Sequence, residues 1–253
     1  MAYIDRNGVK IYYEEHGSGL PILLSHGYSA TGQMWNGQVA YLKERYKVIV
    51  WDMRGHGRSD SPGNPAEYSE EATMDDMVAI LKACGAAKAV IGGLSLGGYM
   101  SLAFHARHPE MVEALMLFDT GPGYRNPQAR EQWNQMAFAR AKDLEARGLA
   151  ALGTSAEVRV AQHNSAAGLA LAARGMLAQF DASVIESLGT IKVPTLVLVG
   201  AQDQAFLNAT DYMASKIAGA TKVVIENAGH ASNIDQPAAF NQAVQSFLEG
   251  LRR

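Results

Sequence analysis

The chain has 253 residues, 48% of them hydrophobic and 19% charged, with a formal net charge of −3. That length suits one large domain or a domain with an inserted lobe, and the balance is globular rather than disordered. It carries no basic footprint for nucleic acid, no ~18-residue apolar membrane span and no apolar leader near Met1, so a cytoplasmic protein is expected.

Residues 9–14 alternate apolar and polar side chains and predict an edge strand. Residues 21–25 predict a short buried strand that ends in His26-Gly27-Tyr28-Ser29. A helix over 34–45 sets Trp35, Val39 and Leu42 on one face, and a strand over 47–51 runs into Asp52-Met53-Arg54-Gly55-His56-Gly57-Arg58-Ser59. The helix predicted at 73–84 ends on the single cysteine, Cys84, which excludes an internal disulfide and suits a reducing compartment. A strand at 89–92, a helical segment at 100–108 and a strand at 114–118 follow, the last closed by Asp119-Thr120-Gly121-Pro122-Gly123.

Strands and helices in this rhythm imply βαβ units, and strands this apolar imply a parallel sheet covered on both faces. The rhythm breaks over 124–188, which is alanine-rich and helical with no strand signal. Strands at 193–200 and 222–225 and a helix at 237–251 complete the chain. The expected organisation is a core from 1–121 and 189–253, interrupted by a helical cap over 122–188.

The chemistry centres on Gly93-Leu94-Ser95-Leu96-Gly97, a Gly-x-Ser-x-Gly turn between strand and helix. Such a turn strains the serine backbone, exposes its hydroxyl and aims the next backbone N–H, that of Leu96, at whatever the serine attacks. A serine hydroxyl needs a base, and an imidazole needs a carboxylate to fix its tautomer. His230, in the loop after the last strand, is placed at the same sheet edge as Ser95. His26 and His56 read as hydrogen-bonding members of tight turns, and His105 and His108 as surface residues. Asp203 and Asp119 each follow a strand at that edge, and both satisfy the chain order serine, acid, histidine. A second oxyanion donor is expected from the loop after the 21–25 strand, as the Tyr28 N–H.

These motifs resemble the α/β-hydrolase superfamily along nearly the whole chain. The resemblance implies a mostly parallel eight-stranded sheet with helices on both faces, an inserted helical cap, Ser95 as nucleophile, Asp203 as acid, His230 as base, and Tyr28 with Leu96 as oxyanion hole. A serine nucleophile argues against the haloalkane dehalogenases and epoxide hydrolases. The elbow and the stretch Asn227 to Pro237 are most similar to 3-oxoadipate enol-lactonases. The expected function is hydrolysis of a small-molecule carboxylic ester or lactone through an acyl-enzyme, with no metal or organic cofactor. Alternatives are C–C bond hydrolysis of vinylogous diketones and a triad-bearing small-molecule receptor. In the cap, Arg125 and Arg130 are candidates to bind a substrate carboxylate, and Trp133, Met136 and Phe138 to line the pocket.

Overall fold

Apolar strands separated by helices can bury both faces only when a sheet lies between two helix layers. The computed structural model, which describes residues 2–251, has this arrangement. Strands β1 (Ala2–Arg6), β2 (Val9–His16), β3 (Pro21–Ser25), β4 (Lys47–Trp51), β5 (Ala89–Leu94), β6 (Val112–Phe118), β7 (Thr195–Gly200) and β8 (Thr221–Ile225) form one sheet. Their order is β1-β2-β4-β3-β5-β6-β7-β8. β2 is antiparallel to both neighbours, and the pairings from β4 through β8 are parallel. The eight-stranded, mostly parallel sheet is therefore as expected. The edge is not: Asn7 and Gly8, both at positive φ, turn the chain so that β1 pairs outside β2 and takes the edge itself.

The helices in chain order are α1 (Asn36–Leu42), α2 (Glu70–Ala83), α3 (Leu96–Arg107), α4 (Pro127–Arg147), α5 (Ala156–Arg159), α6 (Ala166–Ala172), α7 (Ser183–Ser187), α8 (Leu207–Lys216), α9 (Ser232–Asp235) and α10 (Pro237–Gly250). Strand side chains alternate between two layers. Leu23, Ile49, Ile91 and Val197 pack with Met77 and Ile80 of α2 and with Met100 and Phe104 of α3. Ile22, Val48, Val90 and Leu198 pack with Trp35, with Leu42 of α1, and with Phe240 and Val244 of α10. Residues 34–45 do not form one helix: a 3₁₀ turn over Gly32–Trp35 precedes α1. α2 starts ahead of its predicted position because Ser69 Oγ caps it, accepting from the Ala72 N–H at 3.0 Å. His105 is not a surface residue; it is buried where α3 crosses the sheet, whereas His108 at the helix end is half-buried.

Between β6 and β7 the structure is helical, comprising α4 to α7 and a π-helical turn at Ala173–Leu177. Asn126 Oδ1 caps α4, and Pro127 occupies its first turn, where a missing N–H costs nothing. Side chains fasten this insertion to the sheet. Tyr28 Oη donates to the Leu169 carbonyl at 2.8 Å, the Gly57 N–H donates to His163 Nδ1 at 3.1 Å, and His163 Nε2 donates to the Ser29 carbonyl at 2.9 Å. The insertion is thus tied to the loops that follow β3 and β4. Among the described residues, no helix is long and apolar enough to cross a membrane.

Candidate active site

Ser95 sits between β5 and α3 with φ 55° and ψ −116°. Positive φ costs a non-glycine residue free energy of order 1 kcal/mol or more, so the surroundings must enforce it. They do so by backbone crowding. A Cβ on Gly93 would lie 2.4 Å from the Gly97 carbonyl carbon, and one on Gly97 would lie 2.2 Å from the Ser25 carbonyl oxygen. The Ser95 N–H donates to the Phe118 carbonyl at 3.0 Å, and Thr120 Oγ1 donates to the Ser95 carbonyl at 2.6 Å. From residue 89 through 105 every residue is buried except Ser95 itself. The sequence therefore buries the whole elbow and leaves its apex open.

β8 delivers His230 to the same edge. His230 Nδ1 hydrogen-bonds Asp203 Oδ2 at 2.7 Å, and Asp203 is buried in the loop after β7. A carboxylate on Nδ1 makes that nitrogen the donor and leaves Nε2 as the basic one. Burial of His230 pulls its pKa down, but the Asp203 hydrogen bond and the charges of Asp203, Asp119 and Glu157 outweigh it and raise the pKa above the ordinary 6.5. Phe206 stacks on the imidazole with ring centroids 5.2 Å apart, fixing its plane.

Asp119, the other carboxylate at this edge, makes its hydrogen bonds elsewhere than to the imidazole. Its Oδ1 accepts the Gly200 N–H at 2.7 Å and its Oδ2 accepts from Ser232 Oγ, which ties β6 to β7 and to the turn after His230. Asp119 has no exposed surface, and burial pushes its carboxyl up to about 7. Of the two carboxylates, it is Asp203 that the fold brings to His230.

The Leu96 N–H is the first amide of α3 and has no intrahelical partner. The Tyr28 N–H likewise has no hydrogen-bond partner among the described residues. The loop that carries Tyr28 is held by His26, whose Nε2 accepts the Met53 N–H at 2.9 Å and whose Nδ1 donates to the Gly27 carbonyl at 2.7 Å. Burial pushes the His26 pKa down to about 4, so the ring stays neutral and keeps the lone pair that Met53 requires. Asp52 braces the same region by accepting the Gly32 and Arg58 N–H groups at 2.8 and 2.9 Å.

Ser95 and Leu96 open into a cavity of about 320 Å³ between sheet and insertion. Its walls include Tyr99, Trp133, Leu177, Phe206 and Tyr212, and among the described residues no charged one lines it. Trp133 is where the sequence placed it, anchored by an Nε1 hydrogen bond to the Leu177 carbonyl at 2.8 Å. The arginines are not in the wall. Arg130 Nη1 turns back to the Tyr124 carbonyl at 3.0 Å, and Arg125 lies exposed before the α4 cap. Met136 faces outward, and Phe138 packs against the core. Leu177, Gln179, Phe206 and Tyr212 were not singled out from sequence, because nothing in their spacing marks them as neighbours of Ser95.

Residues 22–243 match the model of the alpha/beta hydrolase family. The chain belongs to that family. It is 29% identical to 3-oxoadipate enol-lactonase 2 of Acinetobacter baylyi, covering 90% of this chain and 88% of that protein. It is 30% identical to 2-hydroxymuconate semialdehyde hydrolase of a Pseudomonas species, covering 95% and 91%. A thermophilic esterase from Thermogutta terrifontis superposes with a TM-score of 0.85 at 28% identity over the full length of both chains. These alpha/beta hydrolase relatives differ in the substrate or activity they are named for. The family assignment therefore carries the hydrolase scaffold, and the reaction has to be argued from the residues around Ser95.

Proposed function

We propose that this alpha/beta hydrolase cleaves carboxylic esters or lactones through a covalent acyl-enzyme on Ser95. The observation that carries the reading is Ser95 itself, held at positive φ as the one open residue of a buried elbow and facing an apolar cavity. In the proposed cycle, His230 Nε2 takes the proton as Ser95 Oγ attacks the carbonyl carbon. The oxyanion accepts from the Tyr28 and Leu96 N–H groups, each typically worth ~2.7–4 kcal/mol to the transition state. His230 then protonates the departing alkoxide, activates water, and returns the proton to Ser95 as the acid leaves. Asp203 holds the imidazole and stabilises its charged form.

The absence of charge in the cavity wall favours a neutral acyl group over one that bears a carboxylate. A lactone fits the same scheme, with the leaving alkoxide still tethered to the acyl group. The test is hydrolysis of p-nitrophenyl butyrate by wild type and Ser95→Ala. The variant is expected to fold normally and to lose a factor on the order of 10³ or more in kcat. Near wild-type turnover in it removes the proposal.

A further inference from the structure

A buried polar side chain in the wall of the cavity needs a hydrogen-bond partner. Tyr99 Oη donates to Glu70 Oε2 at 3.1 Å, Thr120 Oγ1 to the Ser95 carbonyl at 2.6 Å and Trp133 Nε1 to the Leu177 carbonyl at 2.8 Å. Gln179 differs from these three. It is only 7% exposed, and its Oε1 has no hydrogen-bond partner among the described residues. Its backbone, by contrast, is clamped. The Gln179 N–H donates to Asn134 Oδ1 and its carbonyl accepts from Asn134 Nδ2, both at 2.7 Å, and Asn134 is itself buried on α4. The side chain reaches Gly123, where even an added Cβ would come within 2.8 Å of Oε1. The glycine makes the room that the amide occupies.

An unpaired buried amide group costs about 1–3 kcal/mol, and leucine or methionine would fill the same space without that cost. The amide is explained if a ligand completes it. Because among the described residues no charged one lines the cavity, a neutral completing group fits it best. A primary amide offers an acceptor and two donors, which matches a secondary amide with one of each. We propose that Gln179 determines acyl specificity by hydrogen-bonding a secondary amide carried on the acyl chain of the ester or lactone. The proposal rests on the reading of Ser95 as nucleophile and names the substrate class for that site.

The experiment compares kcat/KM for p-nitrophenyl acetamidoacetate, 3-acetamidopropanoate and 4-acetamidobutanoate with the straight-chain pentanoate, hexanoate and heptanoate of matching length. Wild type, Gln179→Leu and Gln179→Met are measured, the second variant guarding against a folding defect in the first. At one length or more, the amide-to-alkyl ratio is expected to fall about 10-fold in both variants. A ratio unchanged within about 2-fold at all three lengths overturns the proposal. Calorimetric binding of the same esters to Ser95→Ala, with and without Gln179→Leu, asks the question without turnover. There, amide esters should lose about 10-fold in affinity on Gln179→Leu and alkyl esters none, and equal losses again overturn the proposal. Failure of the Ser95 reading shows separately, as ester hydrolysis that survives Ser95→Ala.

Discussion

Asp119→Asn is expected to leave ester hydrolysis nearly intact while changing how stability depends on pH. Burial pushes the Asp119 carboxyl from 3.8 to about 7 in the folded chain, against the opposing pull of Ser232, the Gly200 N–H and His230. At ~1.36 kcal/mol per pH unit, that difference corresponds to about 4 kcal/mol of stability lost once the group is fully ionised. The folded value lies above the unfolded one, so the contribution is fully present below pH 3.8 and is lost as pH rises through about 7. Asparagine has no proton to lose, its Oδ1 can keep the Gly200 N–H, and its Nδ2 can donate to Ser232 Oγ. Urea unfolding of both proteins at several pH values from about 4 to 8, with equal m-values, should therefore show the variant gaining on wild type as pH rises, by up to about 4 kcal/mol. A difference that is constant with pH, or that moves towards wild type, refutes the argument. Activity supplies the contrast. Asp203 is the residue on His230 Nδ1, so Asp203→Asn should cost on the order of 10⁴ in kcat, against less than about tenfold for Asp119→Asn. The reverse ranking would make Asp119 the acid.

The His230 pKa is raised, so the acid limb of kcat/KM for an ester substrate should have its midpoint above pH 6.5, with activity falling below it as the base becomes protonated. Glu157→Gln removes one of the charges that raise it and should move that limb to lower pH, whereas an unmoved limb would show that this cap carboxylate does not reach the imidazole. Gly97→Ala drives a methyl group into the Ser25 and His26 carbonyls, at 2.2 and 2.8 Å, where neither neighbour is a flexible side chain. It should cost about 1–3 kcal/mol by chemical denaturation and reduce kcat by more than the loss of folded protein explains. Trp133→Ala enlarges the cavity and frees the Leu177 carbonyl, so the chain-length optimum in a p-nitrophenyl ester series should move to longer acyl groups. An unchanged optimum would place the acyl chain elsewhere.

What could be read from the sequence follows the range of the interactions involved. The elbow is specified within a few residues, because Gly93 and Gly97 are required by contacts inside the turn and with the adjacent β3 end. Strand and helix order follow from apolar runs whose alternating side chains feed two layers, and His230 was found because the loop after the last parallel strand must lie at the edge that Ser95 occupies. β1 was missed because five residues that alternate between half-buried and exposed carry little hydrophobic signal; the Asn7-Gly8 turn was the cue that remained. His105 was misplaced because α3 is buried on all sides over its first ten residues, where a polar residue does not mark an outward face.

The insertion obeys a different logic, and that explains why Arg125 and Arg130 were drawn into the pocket and Gln179 was not. Along α4, Asn134, Ala137, Ala141 and Leu144 are buried at helical spacing, so the sequence does reveal an inward face. It does not reveal what that face meets. Asn134 is buried because it completes the backbone of Gln179, 45 residues later, and Trp133 is oriented by the carbonyl of Leu177, 44 residues later. An arginine before a helix cap can point to solvent as easily as to a substrate, and only the path of the chain decides between them. The elbow that carries Ser95 is therefore set by local steric necessity, whereas the cavity wall is set by pairings between segments that no periodicity links. This separation accounts for relatives with about 30% identity that keep one scaffold under names for different substrates. It also locates where this hydrolase should be altered to change its substrate: at Gln179 and Trp133 in the wall, rather than in the turn that holds Ser95.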